Sequence, residues 1–200
     1  MLGAAGRWTD PFLLGYVATW SALALLGLAI IDPDVSRARL KKGPLGVDPV
    51  SPRIFRVCAV GHLVLGVLDV GRLHWSDSVP PAVRLAALGV MAAAFAFVLW
   101  AISVNQFFIP AVRIQEERGH RLITDGPYRW VRHPGYAGLL VGVPASALAL
   151  GSWWSLAVAL VMAVFVLRRA SLEDRYLRAN LAGYPNYAGE VRARLVPGLW

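Results

Sequence analysis

Apolar positions in this chain come in long uninterrupted blocks separated by short polar segments. Residues 11–31, PFLLGYVATWSALALLGLAII, carry no charge and are long enough to cross roughly 30 Å of hydrocarbon as a helix rising about 1.5 Å per residue. Leu85 to Val104 forms a second uncharged block of similar length. A third extends from Gly138 to Leu167, but Pro144 and GSWW at 151–154 interrupt it, which predicts tightly linked helices over about 136–150 and 153–169. Residues 57–75 are apolar apart from His62, Asp69, Arg72 and His74, as befits a span that faces protein on one side. The first block is too long for the apolar core of a secretory signal, and no small-residue cleavage site follows it, so it is expected to remain as a span. These patterns predict an all-α integral membrane protein with about five transmembrane helices in a single membrane domain, residues 1–200, without internal repeat or heptad.

Composition agrees: 57% of the 200 residues are hydrophobic and 16% charged. Charge adds orientation. Of 20 Lys and Arg, 17 fall in the segments 32–56, 113–132 and 168–194, and only Arg7, Arg72 and Arg84 remain for the other side. The positive-inside rule makes the rich segments cytoplasmic, with the N-terminus outside and the C-terminus inside. Topology and anionic lipid thus account for the net charge of +8. Nucleic acid is a poor partner for charges that flank spans without forming one stripe. Cys58 is the single cysteine, which excludes an internal disulfide and a thiolate zinc cluster and suits a small core residue.

The cytoplasmic segments hold most of the chemically capable side chains. In GPYRWVRHPGY, residues 126–136, Gly then Pro is turn chemistry, and Pro134 suits the first turn of the next helix. His133 then stands at a helix N-terminus, where backbone N–H groups and Arg132 favour an anion, while Tyr128 and Tyr136 offer aromatic faces to a cation. This combination suits a zwitterionic or sulfonium-bearing ligand. A basic interface loop with belt tyrosines accounts for the same residues. Further on, Arg169 and Glu173 stand four residues apart on one helix face, which by itself is an ordinary surface ion pair. Alternatively, Glu173 and Asp174 hold ribose hydroxyls or a positive ligand group. They point about 100° apart, too far for an acid/base dyad.

The run IQEERGHRLITDGPYRWVRHPGYAG, two apolar helices and then LEDRYL and GYPNYAGEVRARLVPG resembles the isoprenylcysteine carboxyl methyltransferase family and its bacterial relatives, which overlap the phospholipid methyltransferases. The resemblance covers roughly residues 100–200, the methyltransferase-like portion. It implies a membrane-embedded enzyme that uses S-adenosylmethionine at a cytoplasmic C-terminal site. Carried over residue by residue, the cofactor positions fall on Gln115, His120, Leu122, Ile123, Tyr128, His133, Pro134, Gly135, Tyr136 and Glu173. The substrate position falls on Arg169, which would orient the acceptor. No metal is implied. Asp174 stands where the family has a second Glu, the gap from Gln115 to His120 is shorter than in the eukaryotic enzymes, and fewer N-terminal spans are present.

Methyl transfer from a sulfonium is an in-line displacement in which the protein mainly aligns the reactants. A carboxylate or thiolate acceptor needs no base, whereas an amine or hydroxyl calls on Glu173, Asp174 or His120. The acceptor is expected to be a lipophilic small molecule or lipid reached from the bilayer. Two Lys against eighteen Arg suggest a high-GC bacterial gene and an inner-membrane location, and rank a small lipid, quinone-like or thiol compound above a prenylated protein. A membrane sterol reductase carrying NADPH shares the RHPxYxG element, and a catalytically silent relative is the other alternative. His62, Asp69, Arg72 and His74 read as a buried polar patch or snorkelling edge ahead of a proton path or metal site. KKGPLGVDPVSP at 41–52 reads as a basic broken loop ahead of a lipid-recognition segment. Trp100, Trp130, Trp153, Trp154 and Trp200 are expected interface anchors.

Overall fold

A computed structural model of the protein describes residues 10–41 and 46–198. Arg7, Trp200 and the Lys42 end of the 41–52 loop lie outside the described residues. Helix α1, Pro11–Ile30, begins where the Asp10 carboxylate accepts the N–H groups of Phe12 and Leu13 and Pro11 takes the first position. A short α2, Pro33–Leu40, starts in the same way from Asp32. Then come α3, Ser51–Leu68, which widens into a π turn over Asp69–Leu73, and α4, Pro81–Val104. Helices α5, Pro134–Leu150, α6, Trp153–Asn180, and the short α7, Tyr184–Glu190, complete the chain. By length and composition α1, α3 with its π turn, α4 and α6 can cross a membrane, and α5 is a shorter apolar helix beside them. The all-α membrane architecture is as the pattern predicts.

The boundaries differ in ways that matter. α3 starts at Ser51, before the expected 57, and α6 runs to Asn180, so Arg169, Glu173 and Asp174 stand on the rigid end of a spanning helix. Pro144 stays inside α5 and does not break it. The proline costs one backbone bond, whereas Gly151 takes φ +86° and turns the chain. A Cβ at Gly151 would stand 2.7 Å from Arg84 Nε.

Small residues let α4 and α5 approach closely: a Cβ on Gly138 would meet Val98 at 2.5 Å and the Ala94 carbonyl at 2.9 Å. Leu13, Tyr16, Met91 and Leu150 fill the core toward one end of the bundle. At that end Asp69, fully buried, accepts hydrogen bonds from Trp75 N and from the hydroxyls of Ser76 and Ser152. Arg84 lies 4.0 Å over the Phe12 ring and donates to the Leu150 carbonyl. His62 makes a separate cluster, bonded to Ser155 through Nδ1 and to Ser146 through Nε2, while His74 pairs with Asp77 near the surface. The polar residues of the second span therefore divide among different contacts. Trp75 and Trp154 meet edge-on at this end, and Trp100 and Trp130 do so at the other.

The opposite end collects the basic loops. Arg39 donates to the Phe108 carbonyl, and Gly46 pairs with Val112, so residues 39 and 46 each meet the segment 105–113 at this end of the bundle.

Candidate functional site

A cleft opens at this basic end. It spans about 770 Å³ out to its open mouth. Its walls come from the turn after α4 (Asn105, Phe107, Phe108), the loop residues Arg113 and His120–Ile123, the start of α5, and the end of α6 with α7.

Of the positions singled out by sequence, His120, Leu122, Ile123, Tyr128, His133, Gly135, Tyr136 and Glu173 all line this cleft. Gln115, Pro134 and Arg169 do not. Gln115 is buried behind it, its amide donating to the Phe107 carbonyl and its oxygen accepting from Arg118. It shapes the turn that carries Phe107. Pro134 is fully buried as the first residue of α5. Gly135 is required for close approach, because a Cβ there would stand 2.5 Å from the Phe108 ring.

The expected surface ion pair between Arg169 and Glu173 is absent. Arg169 is buried, and its Nε donates to the Tyr136 hydroxyl at 2.7 Å, its Nη1 to Asp48 Oδ2 at 3.3 Å and its Nη2 to the Pro110 carbonyl. Tyr136 in turn donates to Glu173 Oε2 at 2.6 Å. A tyrosine hydroxyl thus stands between cation and carboxylate, and Glu173 faces the cleft.

Asp174 points elsewhere, as the 100° offset requires. Its carboxylate is fully buried and meets Arg132 Nε at 2.7 Å, Arg178 Nε at 3.0 Å, Arg194 Nε at 3.4 Å and the Tyr184 hydroxyl at 3.0 Å. His133 Nε2 lies 3.4 Å away. Arg132 also donates to the carbonyls of Val191 and Arg192, while the backbone N–H groups of Arg132 and His133 donate to Ala193 and Arg194 carbonyls. Arg132 lines the cleft, but its guanidinium is engaged by Asp174, which it shares with Arg178 and Arg194, and by the residues 191–194 strapped across the start of α5. Asp174 organises the site without lining it.

The aromatic walls are held as neutral donors and shelves. Burial pushes the hydroxyls of Tyr128, Tyr184 and Tyr187 above the usual tyrosine range. Tyr187 donates to the Tyr128 carbonyl at 2.7 Å, and Asn105 donates to the Tyr128 hydroxyl. His120 stacks on Phe107 with ring centres 4.5 Å apart. Burial lowers its pKa, and the Gln115 N–H donates to its Nδ1, a bond that needs the neutral ring. At the rim, Arg113 holds Glu117 down to about 2.

Sequence reasoning missed Asp48, Asn105, Phe107, Phe108 and Arg121 as parts of this region. Only Asp48 left a local trace, the Asp-Pro-Val-Ser pattern of a helix start, and its carboxylate does accept the Ser51 N–H.

Comparison with known proteins gives an independent view. Residues 84–179 match the model of the isoprenylcysteine carboxyl methyltransferase family. A probable protein-S-isoprenylcysteine O-methyltransferase of Oryza sativa subsp. indica is 33% identical over 96 residues, 47% of this chain and 50% of the relative. Protein-S-isoprenylcysteine O-methyltransferase B of Arabidopsis thaliana is 31% identical over 92 residues, 45% and 47% of the respective chains. Protein-S-isoprenylcysteine O-methyltransferase of Schizosaccharomyces pombe is 34% identical over 77 residues, 38% and 33%. The matched region spans about half the length of the plant relatives and a third of the yeast one.

Proposed function

We propose that the chain, whose residues 84–179 match the model of the isoprenylcysteine carboxyl methyltransferase family, is an S-adenosylmethionine-dependent membrane methyltransferase acting on a lipophilic acceptor. The observation that carries this reading is the polar cleft at the basic end, together with an apolar groove open on the flank of the bundle. That groove, about 1140 Å³ out to its open side, is lined by Tyr16 and Trp20 of α1, Leu63 of α3, Phe95 of α4, Leu139 and Val143 of α5, and Met162 of α6. On α6, Met162, Val166, Arg169 and Glu173 follow one another at intervals of four, three and four, which keeps them on one face over about 16 Å. On α5, Val143, Leu139 and Tyr136 do the same. The two helices therefore share a face that runs from the apolar groove toward the cleft, and an acceptor with its tail among Trp20, Leu63 and Val143 brings its polar end toward Tyr136.

The residues of the cleft fit the cofactor. Glu173 supplies a carboxylate for a cationic group, the stacked pair Phe107 and His120 supplies a flat shelf for a base, and Leu122, Ile123 and Leu177 supply apolar wall. The start of α5 at Gly135 and the rim arginine Arg121 suit a carboxylate. When bound, S-adenosylmethionine supplies the electrophilic methyl group. The protein aligns an acceptor arriving from the bilayer with it and keeps water away from the polar end, so a carboxylate or thiolate acceptor needs no base. Arg169, behind Tyr136, acts through that hydroxyl. The basic end is cytoplasmic by the positive-inside rule, in the inner membrane of a bacterium.

Thermal stability of the detergent-purified protein with S-adenosylmethionine, S-adenosylhomocysteine or NADPH tests the cofactor. A ligand at a hundred times its dissociation constant adds about 2.7 kcal/mol if it binds only the folded state. Stabilisation by the adenosyl compounds, followed by labelled methyl transfer into lipid extracts, is the expected result. Stabilisation by NADPH alone would overturn the reading in favour of a reductase, and no response to any of them would favour a silent relative.

A further inference from the structure

Asp48 lies in the loop before α3, outside the residues matched by the family model, yet it reaches the core of the site. Its side chain is fully buried and meets Arg168 at 3.0 Å and Arg169 at 3.3 Å. Gly46, at φ +68°, brings this loop against the wall of the cleft: it pairs with Val112, and a Cβ there would stand 2.2 Å from the Val112 carbonyl oxygen. Arg169 is thus held from three directions, by Asp48, Pro110 and Tyr136, and Asp48 is the only carboxylate among the described residues that it contacts directly.

Arg169 and Glu173 are spaced for direct pairing on α6. They do not pair directly: the Tyr136 hydroxyl stands between them, accepting from Arg169 and donating to Glu173, while Asp48, shared with Arg168, meets the cation from another side. Had the cation been left unbalanced in so buried a place, Glu173 would be its nearest remaining carboxylate. We propose that Asp48 is a positioning residue that holds Arg169 off Glu173 and so leaves the Glu173 carboxylate to a cationic group of the cleft ligand. This inference rests on the methyltransferase reading for the identity of that ligand, while the division of charge between the two carboxylates does not.

A double-mutant cycle separates the two. Asp48→Asn, Glu173→Gln and their combination are made in the full chain, with Asp48→Glu as the charge-conserving control, and all are measured for unfolding temperature without ligand and for affinity to S-adenosylmethionine. Without ligand, Glu173 takes over the cation in Asp48→Asn, so the combined variant loses more than the sum of the single losses. With ligand, Asp48→Asn weakens binding about tenfold or more when Glu173 is present and little when Gln replaces it, and Asp48→Glu restores affinity. Additive stability losses, or an equal affinity loss in both backgrounds, overturn the proposal, as a merely structural role for the loop predicts. A wild-type protein that ignores S-adenosylmethionine but shows the stability coupling overturns the assigned ligand and upholds the charge division. If Asp48→Asn does not fold, Arg169→Gln is added: recovery of folded protein supports the balance between Asp48 and Arg169, and continued failure overturns it.

Discussion

Two adjacent carboxylates on α6 show how much is decided by a single step of 100° around a helix. Asp174 is fully buried among Arg132, Arg178 and Arg194, so Asp174→Ala leaves Arg132 as an unmatched internal cation and is expected to cost about 3–5 kcal/mol in the unfolding free energy. Glu173 faces the cleft, and Glu173→Gln is expected to change stability by less than about 1 kcal/mol while weakening S-adenosylmethionine binding about tenfold or more, read by calorimetry on the same preparations. His120 gives a pH dependence of known sign. Burial lowers its pKa in the folded state, so the unfolded chain takes up the proton first. Its contribution is complete above the ordinary histidine pKa of about 6.5 and is lost as pH falls through that value toward the folded one. Comparing unfolding temperatures of wild type and His120→Gln between about pH 5 and 8 isolates it, the difference shrinking on the acid side. Most cleft residues were legible in the sequence because a turn, a helix start and a helix spacing are local. The partners were not: Asp48 and Arg169 are 121 positions apart, and the Arg169–Glu173 spacing suggested a bond that a third residue, Tyr136, intercepts.

Elements were read well where apolar length alone defines them, and poorly at their ends, where contacts decide. α6 continues past its apolar stretch because Ala170, Asp174 and the α7 tyrosines bury its polar extension, a stabilisation that hydropathy does not register. Pro144 interrupts the apolar pattern but lies inside the expected helix 136–150, as it does in α5, and Gly151 makes the turn. The close approach of α4 and α5 depends on Gly138, and Gly138→Ala is expected to destabilise by about 1–3 kcal/mol because its Cβ meets backbone at Ala94, which cannot swing aside. Gly89 on α4 has open space at its Cβ, so Gly89→Ala serves as the control and is expected to be neutral or slightly stabilising in a heat-denaturation series.

At the scale of the molecule, the polar cleft at one end and the apolar groove on the flank are separate, and the proposed function gives each its own ligand. Widening Ala59 to Phe obstructs the groove and is expected to lower the rate with a lipophilic acceptor while leaving cofactor affinity unchanged, a split that steady-state kinetics with equilibrium binding would expose. The distribution of Lys and Arg was readable from sequence as a statement of sidedness, and it has a direct test. With Cys58 replaced by Ala, a cysteine at Asp125 is expected to react with an impermeant thiol reagent only in inverted membrane vesicles, and one at Asp77 only in right-side-out vesicles. The meeting of the loops over the bundle end had no such signal, since it joins segments far apart in the chain through single backbone contacts.

The strap of residues 191–194 across the start of α5 has a consequence in time. Arg132 and His133 receive their carbonyl partners from residues some sixty positions later, so on the ribosome the spans can be threaded into the bilayer while the mouth of the protein still lacks one of its walls. The wall that Arg132 and His133 help to build is therefore closed only after residues 191–194 have left the ribosome.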